Sequence, residues 1–259
     1  MLLGLQKKIA LFGMLLFAIC CCTFYAFVAN AAQTTTPKVT IAAQDLMPWL
    51  SPQLENKGLY ANIVTTAFKE VGVEVEIIFA PWARAMKLVL EGEIFALMPA
   101  FSTPEREKLF FFSDAFSQES NAFYYYGPIR DFKYKGLEDL KGYLIGGTSG
   151  YYYTQLFNDA GLRVDYTNSD INNFKKLSKR YIDFFFYSEI PAAYIISTHF
   201  PKEKEHFHII ENSRRLFDNK LMVSKKYKDS QELLRLFNQG LSQIKENGKY
   251  QALLSKHHD

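Results

Sequence analysis

Beyond Cys22 the chain contains no cysteine. Its three cysteines, Cys20, Cys21 and Cys22, all fall within the first thirty residues. The remainder can form no disulfide, offers no thiol nucleophile and supplies no thiolate to a metal. An excess of charge of one sign is also lacking: 30 Lys and Arg face 27 Asp and Glu, so no global field favours capture of nucleic acid. After the first thirty residues no run approaches the roughly 18–20 apolar residues of a membrane span. There is no phosphate loop and no H-E-x-x-H. Gly146–Gly150 reads G-G-T-S-G, but a nucleophile elbow around Ser149 would need glycine where Tyr151 stands. His206 and His208 could share a strand face, yet two histidines do not make a zinc site. These absences predict no catalytic residue, no metal and no cofactor.

What is present begins with an N-terminal segment apart from the fold. Lys7 and Lys8 precede an apolar stretch from Ile9 to about Val28; Ala29-Asn30-Ala31 follows, and then polar residues. This is the pattern of a secretory signal peptide over residues 1–31, with cleavage expected near Ala32. An uncleaved anchor is the rival reading, because the apolar stretch is long. Residues 1–31 hold two of the 30 basic residues and no acid, so removing them lowers the net charge from +3 to +1.

The rest alternates between strands and helices. Lys38–Gln44 reads as a strand. Gly58–Gly72 reads as a helix, since Leu59, Ile63, Val64, Ala67, Phe68 and Val71 share a face and Gly72 suits its end. Val73–Ala80 alternates as a strand; Pro81 opens a helix that Gly92 closes; Ile94–Ala100 is a short buried strand. This β-α-β-α-β order predicts a mostly parallel sheet with helices on its faces. A second unit starts near residue 121: Asn121–Gly127 extended, a strand at Tyr143–Ile145, a glycine-rich turn, a helix from about Tyr151, and a strand at Ile182–Tyr187. Asn219–Lys226 is again a strand, followed by one long amphipathic helix and a short terminal one. No low-complexity linker and no short repeat separates the units, which predicts two lobes joined by extended crossings. A cleft between them is a preferred site for a small molecule.

Several segments carry a resemblance in the right order: Met47-Pro48-Trp49, G-L-Y-A-N-I-V from Gly58, P-W-A-R-A-M-K-L-V-L-E-G-E from Pro81, S-T-P-E-R-E-K-L-F-F-F-S from Ser102, L-K-G-Y-L-I-G-G-T-S-G from Leu140, and the C-terminal helix. Together they resemble the periplasmic solute-binding proteins of the polar amino-acid ABC transporter type, the bacterial extracellular family 3, in a divergent branch. The resemblance implies a two-lobed type II binding-protein fold, each lobe a mixed α/β sheet flanked by helices, with a two-stranded hinge. Lobe 1 would be residues 32–122 and 221–259, lobe 2 residues 123–220, and residues 1–31 the signal. It implies a periplasmic monomer that captures a small carboxylate-bearing, amino-acid-like solute for ABC permease subunits, with no nucleic-acid partner. A lyase of the cyclohexadienyl dehydratase type, or a sensing module for a membrane partner, is the alternative.

Carried onto this sequence, the family's T-x-x-R element makes Thr103 and Arg106 the expected carboxylate ligands. The physics agrees, since Thr103-Pro104 sets a helix start and arginine can fork onto a carboxylate. Local pairing of Arg106 with Glu105, Glu107 or Asp114 is the other reading. The family's ammonium-binding aspartate would fall at Ser188, so either Ser188 or the adjacent Glu189 is expected to take its place. Ser149 and Tyr152 are the candidates in the glycine-rich turn, with Tyr151 and Tyr153 expected in the core. Trp49 and Trp82 are the aromatic candidates, and Arg84 is a possible second cation or a solvated one.

Overall fold

In the first strand, β1 (Lys38–Ala43), Ile41 and Ala43 face one apolar cluster and Ala42 the other, the two-residue period of a strand buried on both faces. The computed structural model describes residues 37–128 and 132–258, and the expected signal peptide lies outside them. After β1 come α1 (Leu59–Glu70), β2 (Glu74–Phe79), α2 (Trp82–Glu91) and β3 (Ala96–Ala100). β1 pairs in parallel with both β2 and β3, as expected where helices supply the crossovers. Gly92 closes α2 in the left-handed region, at φ 81°, where a side chain would be strained.

The chain then forms α3 (Pro104–Leu109), β4 (Phe110–Phe112) and the ten-residue β5 (Ser117–Tyr126). A second α/β unit follows: β6 (Leu144–Thr148), α4 (Thr154–Asp159), β7 (Arg163–Thr167), α5 (Asp170–Ser178), β8 (Phe184–Ser188) and α6 (Glu189–His199). β9 (Phe207–Ile209), the long β10 (Arg215–Ser224), α7 (Ser230–Glu246) and α8 (Lys249–His258) complete it. The sheet runs β2-β1-β3-β10-β5-β8-β6-β7, with β4 pairing on β10 and β9 on β5. β6 pairs in parallel with β7 and β8, whereas β10 and β5 are antiparallel to their neighbours.

β5 and β10 each serve two sheets. Ser117–Asn121 pairs with Arg215–Asn219, while residues 121–124 of β5 pair with β8 and residues 220–224 of β10 with β3 and β4. These two strands are the extended crossings. The apolar side chains divide accordingly. Phe68, Phe95, Phe237 and Ile63 fill one cluster of the first unit and Val89, Leu97 and Met222 another. Phe123, Phe157 and Phe186 fill one cluster of the second, and Phe174, Phe185 and Ile195 its opposite. The fold is thus α/β and two-lobed, a mixed sheet with helices on its faces.

Three expectations need correction. The strand expected to end at Ile145 runs on to Thr148, so Gly146 and Gly147 lie in β6 and not in a turn. Both pack closely: a Cβ on Gly146 would stand 2.4 Å from Ile182 Cδ1, and one on Gly147 2.7 Å from the Tyr166 ring, so either side chain would have to shift. The helix expected from Tyr151 starts at Thr154, leaving the three tyrosines as a turn. β5 and β10 begin at Ser117 and Arg215, several residues before the expected starts. Their first halves carry no sustained apolar alternation: Ser117–Asn121 is polar throughout, and in Arg215–Asn219 the adjacent Leu216 and Phe217 are the only apolar residues.

Candidate functional site

Where β5 and β10 cross, the two lobes enclose a cavity of about 70 Å³. Arg106 reaches it from α3. Thr103 caps that helix, its hydroxyl accepting from the Arg106 backbone N–H at 3.2 Å. The guanidinium donates to the Phe101 carbonyl at 2.8 Å and to the Gly150 carbonyl, on the second lobe, at 3.0 Å. It lies over the Trp82 ring, 5.1 Å from its centroid, and Trp82 Nε1 donates to the same Gly150 carbonyl at 3.0 Å. Burial pulls the Arg106 pKa down to about 10, which leaves it charged at neutral pH. Local pairing does not occur: neither Glu105, Glu107 nor Asp114 bonds the guanidinium, whose partners are two carbonyls and a ring.

The cavity also holds an acid outside the expected set. Glu119, on β5, is 6% exposed. Burial pushes its pKa up to about 7, against the pull of hydrogen bonding to Ser188, Trp49 and Asn219; Trp49 Nε1 donates to its Oε1 at 3.2 Å. Asn121, two residues along and on the same strand face, donates to the Tyr152 hydroxyl at 3.0 Å and accepts from Ser188 Oγ at 3.0 Å.

Behind this wall Asp170 fixes the aromatic rings. Its carboxyl accepts from Thr148 Oγ1 (2.6 Å), the Tyr151 hydroxyl (2.8 Å) and the Tyr187 hydroxyl (2.9 Å). Burial raises the Asp170 pKa, and those three bonds oppose the rise. Gln44 Nε2, at the end of β1, donates to the Tyr151 hydroxyl at 3.1 Å. Phe101 meets Tyr152 edge-on and stacks on Phe217, with centroids 4.8 and 5.0 Å apart. No group of three or more metal-ligating side chains is placed to hold an ion among the described residues.

Of the expected site residues, Arg106, Trp82, Tyr152 and Ser188 line the cavity. Trp49 stands behind it and reaches in through Glu119. Thr103 faces a neighbouring open cleft of about 530 Å³, and its side chain is occupied in capping α3. Ser149 continues the β6 edge, its N–H bonded to the Thr167 carbonyl at 2.9 Å, and does not line the cavity. Glu189 also lies off it: it opens α6 and accepts from Arg214 Nε at 3.0 Å and from Ser120 Oγ. Arg84 is exposed on α2. All three tyrosines line the cavity, not Tyr152 alone; Tyr153 does so from within the core, its hydroxyl accepting from the Thr148 N–H at 3.0 Å. Glu119, Asn121, Gln44 and Phe101 were missed. An acid within the strand segment S-Q-E-S, between aromatic runs, was the one available signal for Glu119.

A cavity between two α/β lobes, walled by rings and a few convergent polar groups, defines a small-molecule receptor. The chain belongs to the bacterial extracellular solute-binding proteins, family 3, whose sequence model matches residues 40–259. A comparison with curated proteins found no match. Among solved structures the fold is similar to that of an ancestral arginine-binding protein bound to arginine, with TM-score 0.70, 22% identity, and 86% of this chain and 98% of that one covered. A histidine kinase sensor domain with similarity to periplasmic binding proteins gives TM-score 0.72 at 17% identity, covering 85% and 95%. An ancestral amino acid-binding protein, a precursor of cyclohexadienyl dehydratase, gives 0.67 at 20% identity, covering 86% and 95%.

Proposed function

We propose that the chain captures a small carboxylate-bearing, amino-acid-like solute in the periplasm and, as a monomer, presents it to ABC permease subunits by closure of its two lobes. On this reading lobe 1 comprises residues 32–122 and 221–259 and lobe 2 residues 123–220, with β5 and β10 as the hinge. The separate apolar clusters on either side of those strands support that division.

One observation carries the reading: Arg106 is a half-buried guanidinium in the cavity wall with no carboxylate partner among the described residues. A desolvated cation held only by carbonyls and a ring is under-compensated, and its planar fork suits a carboxylate. The family supplies the mechanism of hinge closure around a ligand, and the Gly150 carbonyl shared by Arg106 and Trp82 is a contact that closure makes.

A thermal-shift screen of amino acids and organic acids tests it, because a ligand at 100 times its Kd adds about 2.7 kcal/mol of stability. For the strongest binder, Arg106→Ala should weaken binding by about 1.5–3 kcal/mol, the scale of a hydrogen bond to a charged group. Arg106→Lys should also bind poorly, having lost the fork. Unchanged affinity in Arg106→Ala would show that the arginine is structural.

A second reading has one observation in its favour. A carboxyl with a pKa near 7 inside a cavity, as Glu119 has, is poised for general acid–base work. Turnover of prephenate or arogenate by the purified protein, abolished by Glu119→Gln, would establish the lyase reading; no turnover leaves the receptor.

A further inference from the structure

Among the described residues lining the cavity, Arg106 is the one cation and Glu119 the one acid. They do not neutralise each other. Arg106 gives two of its five N–H donors to the Phe101 and Gly150 carbonyls, and Glu119 accepts from the neutral indole of Trp49. The other acids near the site are committed elsewhere. Glu189 is paired with Arg214 and does not line the cavity. Asp170 accepts three hydroxyls and is sealed behind the tyrosines. A wall with one unpaired cation and one unpaired acid is complementary to a molecule carrying both signs.

We infer that Glu119, on the hinge strand β5, is the cation-recognising and specificity-determining residue of the site, taking a protonated amine of the same solute whose carboxylate Arg106 holds. The inference rests on the proposed role of Arg106. It moves amine recognition from the end of β8, where the family resemblance placed it at Ser188 or Glu189, to the crossing strand. Ser188 then acts as a hydrogen-bonding partner of Asn121 beside Glu119, not as a counter-charge.

Capture becomes coupled to protons. With its carboxyl at about 7 in the empty site, Glu119 is largely neutral at pH 5 and must release a proton to receive an ammonium. The titratable groups facing it are Tyr60 from α1, Tyr152 from the turn before α4 and Tyr187 from β8. Burial raises all three, so they stay neutral from pH 5 to 8. Trp49, Ser188 and Asn219 do not titrate in that range. Affinity for a zwitterion should therefore fall about 100-fold from pH 8 to pH 5, tenfold for each pH unit below the carboxyl's pKa.

The test uses the soluble chain with residues 1–31 removed. Titration calorimetry is run with the twenty L-amino acids, β-alanine and γ-aminobutyrate, each beside its deaminated acid, on the wild type, Glu119→Gln, Glu119→Asp and Arg106→Ala. The expected result is that wild type prefers an amino acid at least tenfold over its deaminated partner. Glu119→Gln should bring that ratio towards one and abolish the pH dependence, while Glu119→Asp, which keeps the charge, should retain both at lower affinity. Equal wild-type binding of an amino acid and its deaminated partner would overturn the inference, as would a Glu119→Gln variant that keeps the preference. Binding of deaminated acids alone would overturn it and leave the carboxylate role of Arg106 standing. Normal binding by Arg106→Ala, or no binding by the wild type to any of these compounds, would overturn both.

Discussion

An acid sealed from water without a counter-charge destabilises the fold that holds it, and Glu119 is in that position. Its pKa rises from 4.5 to about 7 on folding, so the native state binds the proton more tightly than the unfolded chain does. Stability from this group is complete below about pH 4.5 and is lost as pH rises through about 7. At about 1.4 kcal/mol per pKa unit, the loss amounts to about 3 kcal/mol. Glu119→Gln should remove it. Urea unfolding of the ligand-free protein should show the variant more stable than wild type at pH 8, by up to about 3 kcal/mol, and the two alike at pH 4.5. A variant less stable at both values would mean that the carboxylate is well compensated when the site is empty. The two charges of the site differ in how far the sequence revealed them. Arg106 was singled out through the family's T-x-x-R element, a run of four residues from Thr103 to Arg106. Glu119 was not, because the groups that make its surroundings come from Trp49, Ser188 and Asn219, at least 69 residues away in either direction.

At the scale of elements, α1 and α7 pack so closely that one residue leaves no room for a side chain. A Cβ on Gly240 would stand 1.9 Å from the Ala67 carbonyl oxygen and 2.8 Å from its carbon. These are backbone atoms inside a helix and cannot swing aside, so Gly240→Ala must push the helices apart at the core formed by Phe68 and Phe237. Overpacking of this kind costs roughly 1–3 kcal/mol or more, and alanine's better helix propensity returns only about 1 kcal/mol. Gly240→Ala is expected to lower stability by about 2 kcal/mol in urea unfolding, with ligand affinity at native temperature unchanged; equal or higher stability would show that the helices can slide. The helices themselves were readable from their apolar spacing. The crossing halves of β5 and β10 were not, since Ser117–Asn121 and Arg215–Asn219 follow no apolar period, and neither were β4, β7 and β9, short strands whose partners are set by distant pairing. In sequence the Gly146-Gly147 pair looks like a turn, because glycine usually marks one; here it serves close packing against Ile182 and Tyr166.

For the molecule as a whole, apart from bonds made by the hinge strands themselves, three hydrogen bonds join the lobes across the cavity among the described residues. Arg106 and Trp82 share the Gly150 carbonyl, and Gln44 reaches the Tyr151 hydroxyl. Trp82 also packs edge-on against Tyr151, and Phe101 against Tyr152. Three hydrogen bonds at about 1 kcal/mol each are too little to keep the lobes shut against the freedom of two hinge strands, so a bound solute bridging Arg106 and Glu119 should decide the position of the equilibrium. Trp82→Phe keeps the ring and removes one of those bonds. It should weaken the strongest amino-acid binder by about 1 kcal/mol, about fivefold, by taxing the closed state alone. Small-angle scattering reads the same equilibrium directly. With saturating ligand the radius of gyration should approach the roughly 17 Å of a compact unit of this length; without ligand it should be larger, and Trp82→Phe should need more ligand to reach the compact value. An identical radius with and without ligand would mean that the lobes do not move, and that selection of solutes happens in a cleft already closed.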